Sequence, residues 1–146
     1  MTFSKACNYG VRAALYVTTQ NQQEFVSIKE ISEKLNISFH FLTKILQTLT
    51  QQGIMTSFRG PKGGVALAKP AAEISLLDVV QAIDGESLFT DCVLGLNNCS
   101  DDQPCPLHNQ WTGIRQNIQE LFESTSLHQV ALDVTHNAFR LTNLMM

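Results

Sequence analysis

Apolar residues in the first fifty positions recur every three or four residues. Ala6, Tyr9 or Gly10, Ala13 and Val17 fall on one stripe, which predicts a helix over residues 3–19. Ser27-Ile-Lys-Glu30 has capping-box spacing and opens a short helix with Ile28, Ile31 and Leu35 on one face. Asn36 ends it. Ser38 is placed to cap a third helix, with Ile37 and Leu42 as a hydrophobic staple. Phe41, Leu42, Ile45, Leu46 and Leu49 form its apolar stripe, and Gly53 is placed to stop it. The period then shortens. Ile54, Thr56 and Phe58 alternate with Met55, Ser57 and Arg59, as in a half-buried strand. Gly60-Pro-Lys-Gly-Gly64 is a tight turn, and Val65 to Ala68 reads as the return strand. Two close helices followed by a hairpin is the order of a winged helix-turn-helix.

Pro70 marks a boundary, and Ser75-Leu-Leu-Asp78 caps a helix carrying Leu76, Val79, Val80 and Ile83, closed by Gly85. Residues 86–105 lose periodicity and hold Cys92, Cys99 and Cys105 among Gly, Asn, Asp, Ser and Pro. A structureless loop of about 20 residues in a small domain is often functional or disordered, and three cysteines argue for functional. Pro106 suits the first position of a long helix. Along it, Leu107, Trp111, Ile114, Ile118 and Leu121 step by heptad spacing, the pattern of a seam between two helices or of a helix on its own core. Leu127, Val130, Leu132, Val134 and Phe139 predict a further helix and tail.

Charge changes the picture more than composition does. The chain has 146 residues, 44% of them hydrophobic, and a net charge of −3. Residues 1–72 carry eight Lys or Arg against three acids, for +5; residues 73–146 carry two against ten, for −8. A basic half joined to an acidic half suggests a polyanionic partner for the first half alone. No apolar run approaches the roughly 18 residues that would span a membrane. The N-terminus lacks the apolar segment of a signal peptide. A cytoplasmic protein is expected, in which cysteines are buried, catalytic or metal-binding rather than disulfide-bonded.

The second helix of a helix-turn-helix lies in the major groove, its N-terminal residues facing base edges. Here that helix begins Ser38-Phe-His-Phe-Leu-Thr-Lys44. Phe41 and Leu42 belong partly to the core, which leaves Ser38, His40, Thr43 and Lys44 for double-stranded DNA. At the wing, Arg59 and Lys62 flank a glycine-rich turn, and an arginine there can enter a narrow minor groove. The segment is no P-loop, because Gly63 rather than Ser or Thr follows Lys62. No nucleophile elbow, dinucleotide fingerprint or HExxH helix is present, so an enzyme is not expected.

Cys92, Cys99, Cys105 and His108 form a set of three thiols and an imidazole suited to soft or borderline metals. Zinc knuckles usually use tighter cysteine pairs, and wider gaps suit an iron–sulfur cluster. Spacing alone leaves iron–sulfur and zinc both open. Cys7, alone in a helix, reads as a small buried hydrophobe.

The sequence resembles the Rrf-type family of bacterial winged-helix regulators over about residues 1–125. The resemblance is carried by Tyr9-Gly-Val-Arg-Ala13, Ile37-Ser-Phe-His-Phe-Leu42, Arg59-Gly-Pro-Lys-Gly-Gly64, Leu77-Asp-Val-Val80 and the three cysteines ending in Cys105-Pro-Leu-His108. It implies an α+β, mainly helical fold: a winged helix-turn-helix over 1–70, then a cluster-binding loop (86–108) and a long dimerisation helix within 71–146. It implies a homodimer on a palindromic operator, acting as a repressor, with no membrane association. It further implies a [2Fe–2S] or [4Fe–4S] cluster that senses redox state, nitric oxide or iron–sulfur status. The three cysteines match the family's cluster ligands, and His108 matches the histidine ligand of its IscR-like branch. In the NsrR-like branch an acidic residue of the partner's first helix is the fourth ligand; the matching position here is Asn8. Cys7 of a partner chain ranks between His108 and Asn8: its thiolate suits iron better than a neutral amide oxygen, yet Asn8 holds the family's ligand position and the two side chains point about 100° apart. The alternatives are a zinc- or thiol-based regulator of the same fold, or a small iron–sulfur electron carrier or cluster-delivery protein.

Overall fold

The computed structural model describes residues 3–137 and 139–143; Met1 and Thr2, where the N-terminal signal reading begins, lie outside the described residues. The order is α1 (Lys5–Thr19), α2 (Ile28–Leu35), α3 (Phe39–Gln51), β1 (Met55–Phe58), β2 (Gly64–Leu67), a 3-10 turn (Ala71–Glu73), α4 (Leu76–Asp84), α5 (Ser87–Thr90), α6 (His108–Glu123) and α7 (Leu127–His136). The fold is mainly helical, with one two-stranded antiparallel sheet pairing Met55 with Leu67 and Phe58 with Gly64. Among the described residues no helix is long and apolar enough to cross a membrane.

Local signals set most of the helix ends. Ser4 accepts from the Cys7 amide at the start of α1. The Ser75–Asp78 box is complete, each side chain bonding the other's amide at 3.0 Å. Asn36 takes the left-handed conformation (φ 55°) that ends α2, and Gly53 (φ 78°) follows α3. Two expected caps are incomplete. Ser27 accepts from the Glu30 amide, but the Glu30 carboxylate does not return the bond; it accepts from the Tyr16 hydroxyl at 2.7 Å instead. Ser38 holds the N-cap position of α3 without a side-chain bond.

One core joins these pieces. Ala13, Ala14, Ile31, Leu35, Leu42, Leu46, Leu49, Val79 and Leu127 pack in a single cluster, with α4 against both α1 and α3 and α7 against α1. Each leucine buried this way contributes about 1.5–3 kcal/mol. A methyl at Gly10 would overlap Ile83 Cδ1, which shows how closely α1 and α4 approach. The chain after the sheet returns through paired main-chain bonds: Leu76 donates to Thr125 and Leu127 donates to Ile74, both at 2.9 Å. Val26 and Val65 likewise exchange two bonds of 2.9 Å, anchoring the hairpin to the loop before α2.

Four expectations need correction. The first strand does not alternate: Met55 is buried while Thr56, Ser57 and Phe58 are exposed, and it is Val65 of the return strand that is buried, bonded to Val26. The return strand begins at Gly64 and ends at Leu67, one residue earlier than read at each end. The loop after α4 contains the short α5, anchored by buried Phe89. The long helix starts at His108, not Pro106, with Leu107 as its N-cap.

The seam on α6 divides. Ile118 packs toward Cys7, Leu77, Val80 and Phe89, and Trp111 is half-buried. Leu107, Ile114 and Leu121 stay exposed at 42%, 49% and 59%. A helix of α7's extent follows, with Phe139 beyond its end and exposed.

Candidate nucleic-acid interface and metal centre

α3 presents its polar face to solvent because the buried stripe of Leu42, Ile45, Leu46 and Leu49 points the other way. Ser38, Phe39, His40, Phe41, Lys44 and Gln47 are exposed on it. Thr43 is half-buried, and its hydroxyl donates to the Phe39 carbonyl at 2.8 Å, leaving oxygen lone pairs for any outside donor. Phe41 lies less deep than expected; its ring meets Tyr9 edge-on at 5.6 Å.

A groove of about 760 Å³ runs between α3 and the hairpin. Thr43 and Arg59 both line it, joined by Lys29, Phe39, Gln47 and Phe58. Ser38, His40, Lys44 and Lys62 do not line this groove; all four are exposed beside it, on the start of α3 and on the turn. Phe39, Gln47, Lys29 and Phe58 were missed in the sequence. The signal was there for two of them, since Phe39, Thr43 and Gln47 are spaced by four and must share a helical face. Phe58 stacks on Phe25 at 5.4 Å, a contact between segments far apart in sequence.

The cysteine loop gathers its thiols by a chain of tight turns. Gly95 (φ 74°) donates to the Cys92 carbonyl at 3.0 Å, and Asn98 (φ 58°) also takes the left-handed conformation. The Ser100 and Gln103 main chains close a second turn. The Cys105 amide donates to Cys99 Sγ at 3.4 Å, and the His108 amide to the Cys105 carbonyl at 3.1 Å. As a result the sulfurs of Cys92, Cys99 and Cys105 all lie within 4.8 Å of one another. Cys92 and Cys105 are 3.6 Å apart, and His108 Nδ1 stands 3.3 Å from Cys99 Sγ. The three sulfurs and the imidazole thus converge on one point of the loop.

Electrostatics divides the thiols. The Leu96 amide, helped by that of Leu94 and by the neighbouring thiols, outweighs burial and holds Cys92 down at about 7. At Cys99 the Cys105 amide acts to lower the value, but burial and the thiols of Cys105 and Cys92 together push it up. Of these two, Cys92 is the readier thiolate donor. Cys7 is elsewhere: it is fully buried with Leu77, Val80 and Phe89, and burial, reinforced by Asp84, pushes its thiol up to about 12. Asn8 is half-buried on the same helix.

Comparison with known proteins agrees with this architecture. Residues 3–133 match the Rrf2 family, described as "Iron-dependent Transcriptional regulator". The chain belongs to that family and is a transcriptional regulator. It is 32% identical over 130 residues to the HTH-type transcriptional regulator IscR of Photorhabdus laumondii, covering 89% of this chain and 79% of that one. It is 32% identical over 108 residues to the HTH-type transcriptional regulator NsrR of Oceanobacillus iheyensis, covering 73% and 74%. In structure it is similar to CymR, the global cysteine regulator of B. subtilis. There the TM-score is 0.75 at 24% identity, covering 88% of this chain and 95% of that one, a likeness of fold.

Proposed function

We propose that this chain is a cytoplasmic homodimeric repressor that binds a palindromic operator, with its DNA affinity set by an iron–sulfur cluster on Cys92, Cys99, Cys105 and His108. The observation that carries this reading is the convergence of three thiols within 4.8 Å, with His108 Nδ1 against Cys99. The donor set fits the group: three soft sulfurs and an imidazole, fed by main-chain amides that favour thiolates. When bound, the cluster supplies one-electron redox chemistry and reactivity toward oxygen or nitric oxide.

The protein's own residues do the rest. Ser38, His40, Thr43 and Lys44 read or anchor the duplex in the major groove, and Arg59 and Lys62 hold it at the wing. Leu107, Ile114 and Leu121 give a second copy an apolar face of heptad spacing. The loop reports on its occupancy through α6, because it is tied to that helix at both ends.

A second reading is a zinc site in the same loop. A tetrahedral ion about 2.3 Å from each sulfur sets sulfurs roughly 3.8 Å apart, close to the spacing between Cys92 and Cys105. Anaerobic purification with an absorption spectrum and iron, sulfide and zinc analysis decides between them. Visible charge-transfer bands with stoichiometric iron and sulfide support the cluster. A colourless protein with stoichiometric zinc refutes it.

A further inference from the structure

We infer that Asp101 is a positioning residue for the metal centre: it accepts a hydrogen bond from the Nε2–H of His108 and so turns a bare Nδ1 toward Cys99 and the metal. The inference rests on the metal-centre reading above and adds to it the ligating atom and the residue that selects it.

The geometry is a relay of three side chains. His108 Nε2 lies 2.9 Å from Asp101 Oδ1, and His108 Nδ1 lies 3.3 Å from Cys99 Sγ. A neutral imidazole has one donor nitrogen and one acceptor nitrogen. An ionised carboxylate is an acceptor only. A proton on Nδ1 alone would set the Nε2 lone pair against the Asp101 oxygen at hydrogen-bond distance, which is repulsive. The favourable neutral form has Nε2–H donating to Asp101, leaving Nδ1 to accept from the Cys99 thiol. The single proton shared by Nδ1 and Sγ then occupies the line along which both atoms face each other. A metal ion that displaces this proton finds both donors already aimed.

Asp101 is held for this task by the turn that Ser100 and Gln103 close around it. Its side chain is 97% exposed, whereas that of His108 is 12% exposed. An exposed pair of this kind adds little to folding. Its effect is directional: a ligating histidine commonly donates its second ring proton to a carboxylate, which fixes the tautomer and strengthens the ligand. The sequence shows only an acid two residues after Cys99; nothing in the spacing ties it to His108.

The test uses the full chain, metal-free and reduced, with ¹⁵N-labelled histidine, and His108→Ala to assign the His108 resonances. Wild type is expected to carry the His108 proton on Nε2. Asp101→Asn keeps an oxygen acceptor and is expected to preserve that tautomer, while Asp101→Ala is expected to give a mixture. In parallel, Co(II) is titrated into each protein. Asp101→Ala should weaken Co(II) binding roughly 10–100-fold, with Asp101→Asn recovering most of the loss. A wild-type proton on Nδ1, or an Asp101→Ala protein with unchanged tautomer and Co(II) affinity, overturns the inference. Failure of the cluster reading shows separately, as a native preparation without iron and sulfide. Because the tautomer and Co(II) results are read on metal-free protein, they still decide the role of Asp101 in that case.

Discussion

Trp111 donates its indole N–H to the main-chain carbonyl of Asp91 at 3.0 Å, directly before Cys92 in the chain. Arg115, one turn further along α6, donates to the same oxygen at 2.7 Å. The first thiol of the centre is therefore fastened to the helix that follows the last one. A shift of the loop must pull on α6, and a shift of α6 must pull on the loop.

Removing these donors should loosen the loop without unfolding the core. A neutral hydrogen bond contributes about 1 kcal/mol, and one from a charged donor about 1.5–3 kcal/mol. Trp111→Phe is expected to speed amide exchange at Gly95 about fivefold, and Arg115→Ala to speed it more. The same order is expected in the rate at which bound metal is lost to a chelator. Exchange rates equal to wild type in both variants would mean that the Asp91 carbonyl does not hold the loop.

The thiols should differ sharply in reactivity. Cys92, Cys99 and Cys105 lie in the loop, and Cys92 sits at about 7, so alkylation of the reduced metal-free protein at neutral pH should be fastest at Cys92. Cys7 is fully buried and should react only on unfolding. Its thiol is pushed up to about 12 in the folded chain, above the ordinary 9. The protonated thiol thus adds stability that is complete below pH 9 and is lost as pH rises toward 12. Cys7→Ala should flatten that alkaline fall relative to wild type in chemical denaturation. Mass spectrometry that finds Cys7 labelled as fast as the loop thiols contradicts its placement.

The parts of the fold that were legible in the sequence are those governed by local chemistry. Ser75 with Asp78, Asn36 and Gly53 act within a turn of the helix they bound, and the caps and stops fall where the residues predict. Glu30 shows where local chemistry gives way to tertiary contact. It has the spacing to complete a capping box, but Tyr16, fourteen positions away, offers its carboxylate a hydroxyl at 2.7 Å. The same holds for the candidate site. Three cysteines and a histidine were visible as a donor set, whereas their convergence depends on the turns at Gly95, Asn98 and Ser100. Asp101 and Lys29 were invisible as partners because their relevance lies in which element the fold brings alongside. Phe39 carries no polar group that marks it as a site residue, and only its place in the groove beside Thr43 brings it out.

Assembly should depend on the exposed half of the α6 seam. Ile114 is 49% exposed, so Ile114→Asp adds a charge without emptying the core. If two chains meet there, the variant should sediment as a monomer and bind operator poorly, because only a dimer sets two reader helices about 34 Å apart, one DNA turn. Ile118→Asp is a less clean probe, because Ile118 packs against the cluster that contains Cys7 and Phe89. Wild-type protein that sediments as a monomer at micromolar concentration refutes the dimer outright.

DNA recognition should separate into two kinds of residue according to where the groove places them. Arg59 lines the groove from the wing side, and in the proposed complex its charge would serve phosphate or a narrow minor groove whatever the base sequence. Arg59→Ala should therefore weaken binding to operator and to unrelated duplex alike, and reduce the slope of log affinity against log salt by about one. Thr43 and Gln47 line the opposite wall, one turn apart on α3. Neither is charged, so their loss should leave the salt slope unchanged. Gln47→Ala removes an amide able to bond adenine in two places and should cost about 1–3 kcal/mol at one operator position only. Thr43→Ala should cost less, because the Thr43 hydroxyl already spends its proton on the Phe39 carbonyl at 2.8 Å and can only accept. Lys44 lies outside the groove lining and is exposed, so Lys44→Ala should lower the salt slope as Arg59→Ala does, and relax base preference if its reach extends to guanine. The measurement is a set of binding isotherms on wild-type and singly substituted operators at three salt concentrations. Operator affinity unchanged in Arg59→Ala would remove the wing from the interface. A salt slope that falls in Gln47→Ala but not in Arg59→Ala would invert the assignment of the two walls.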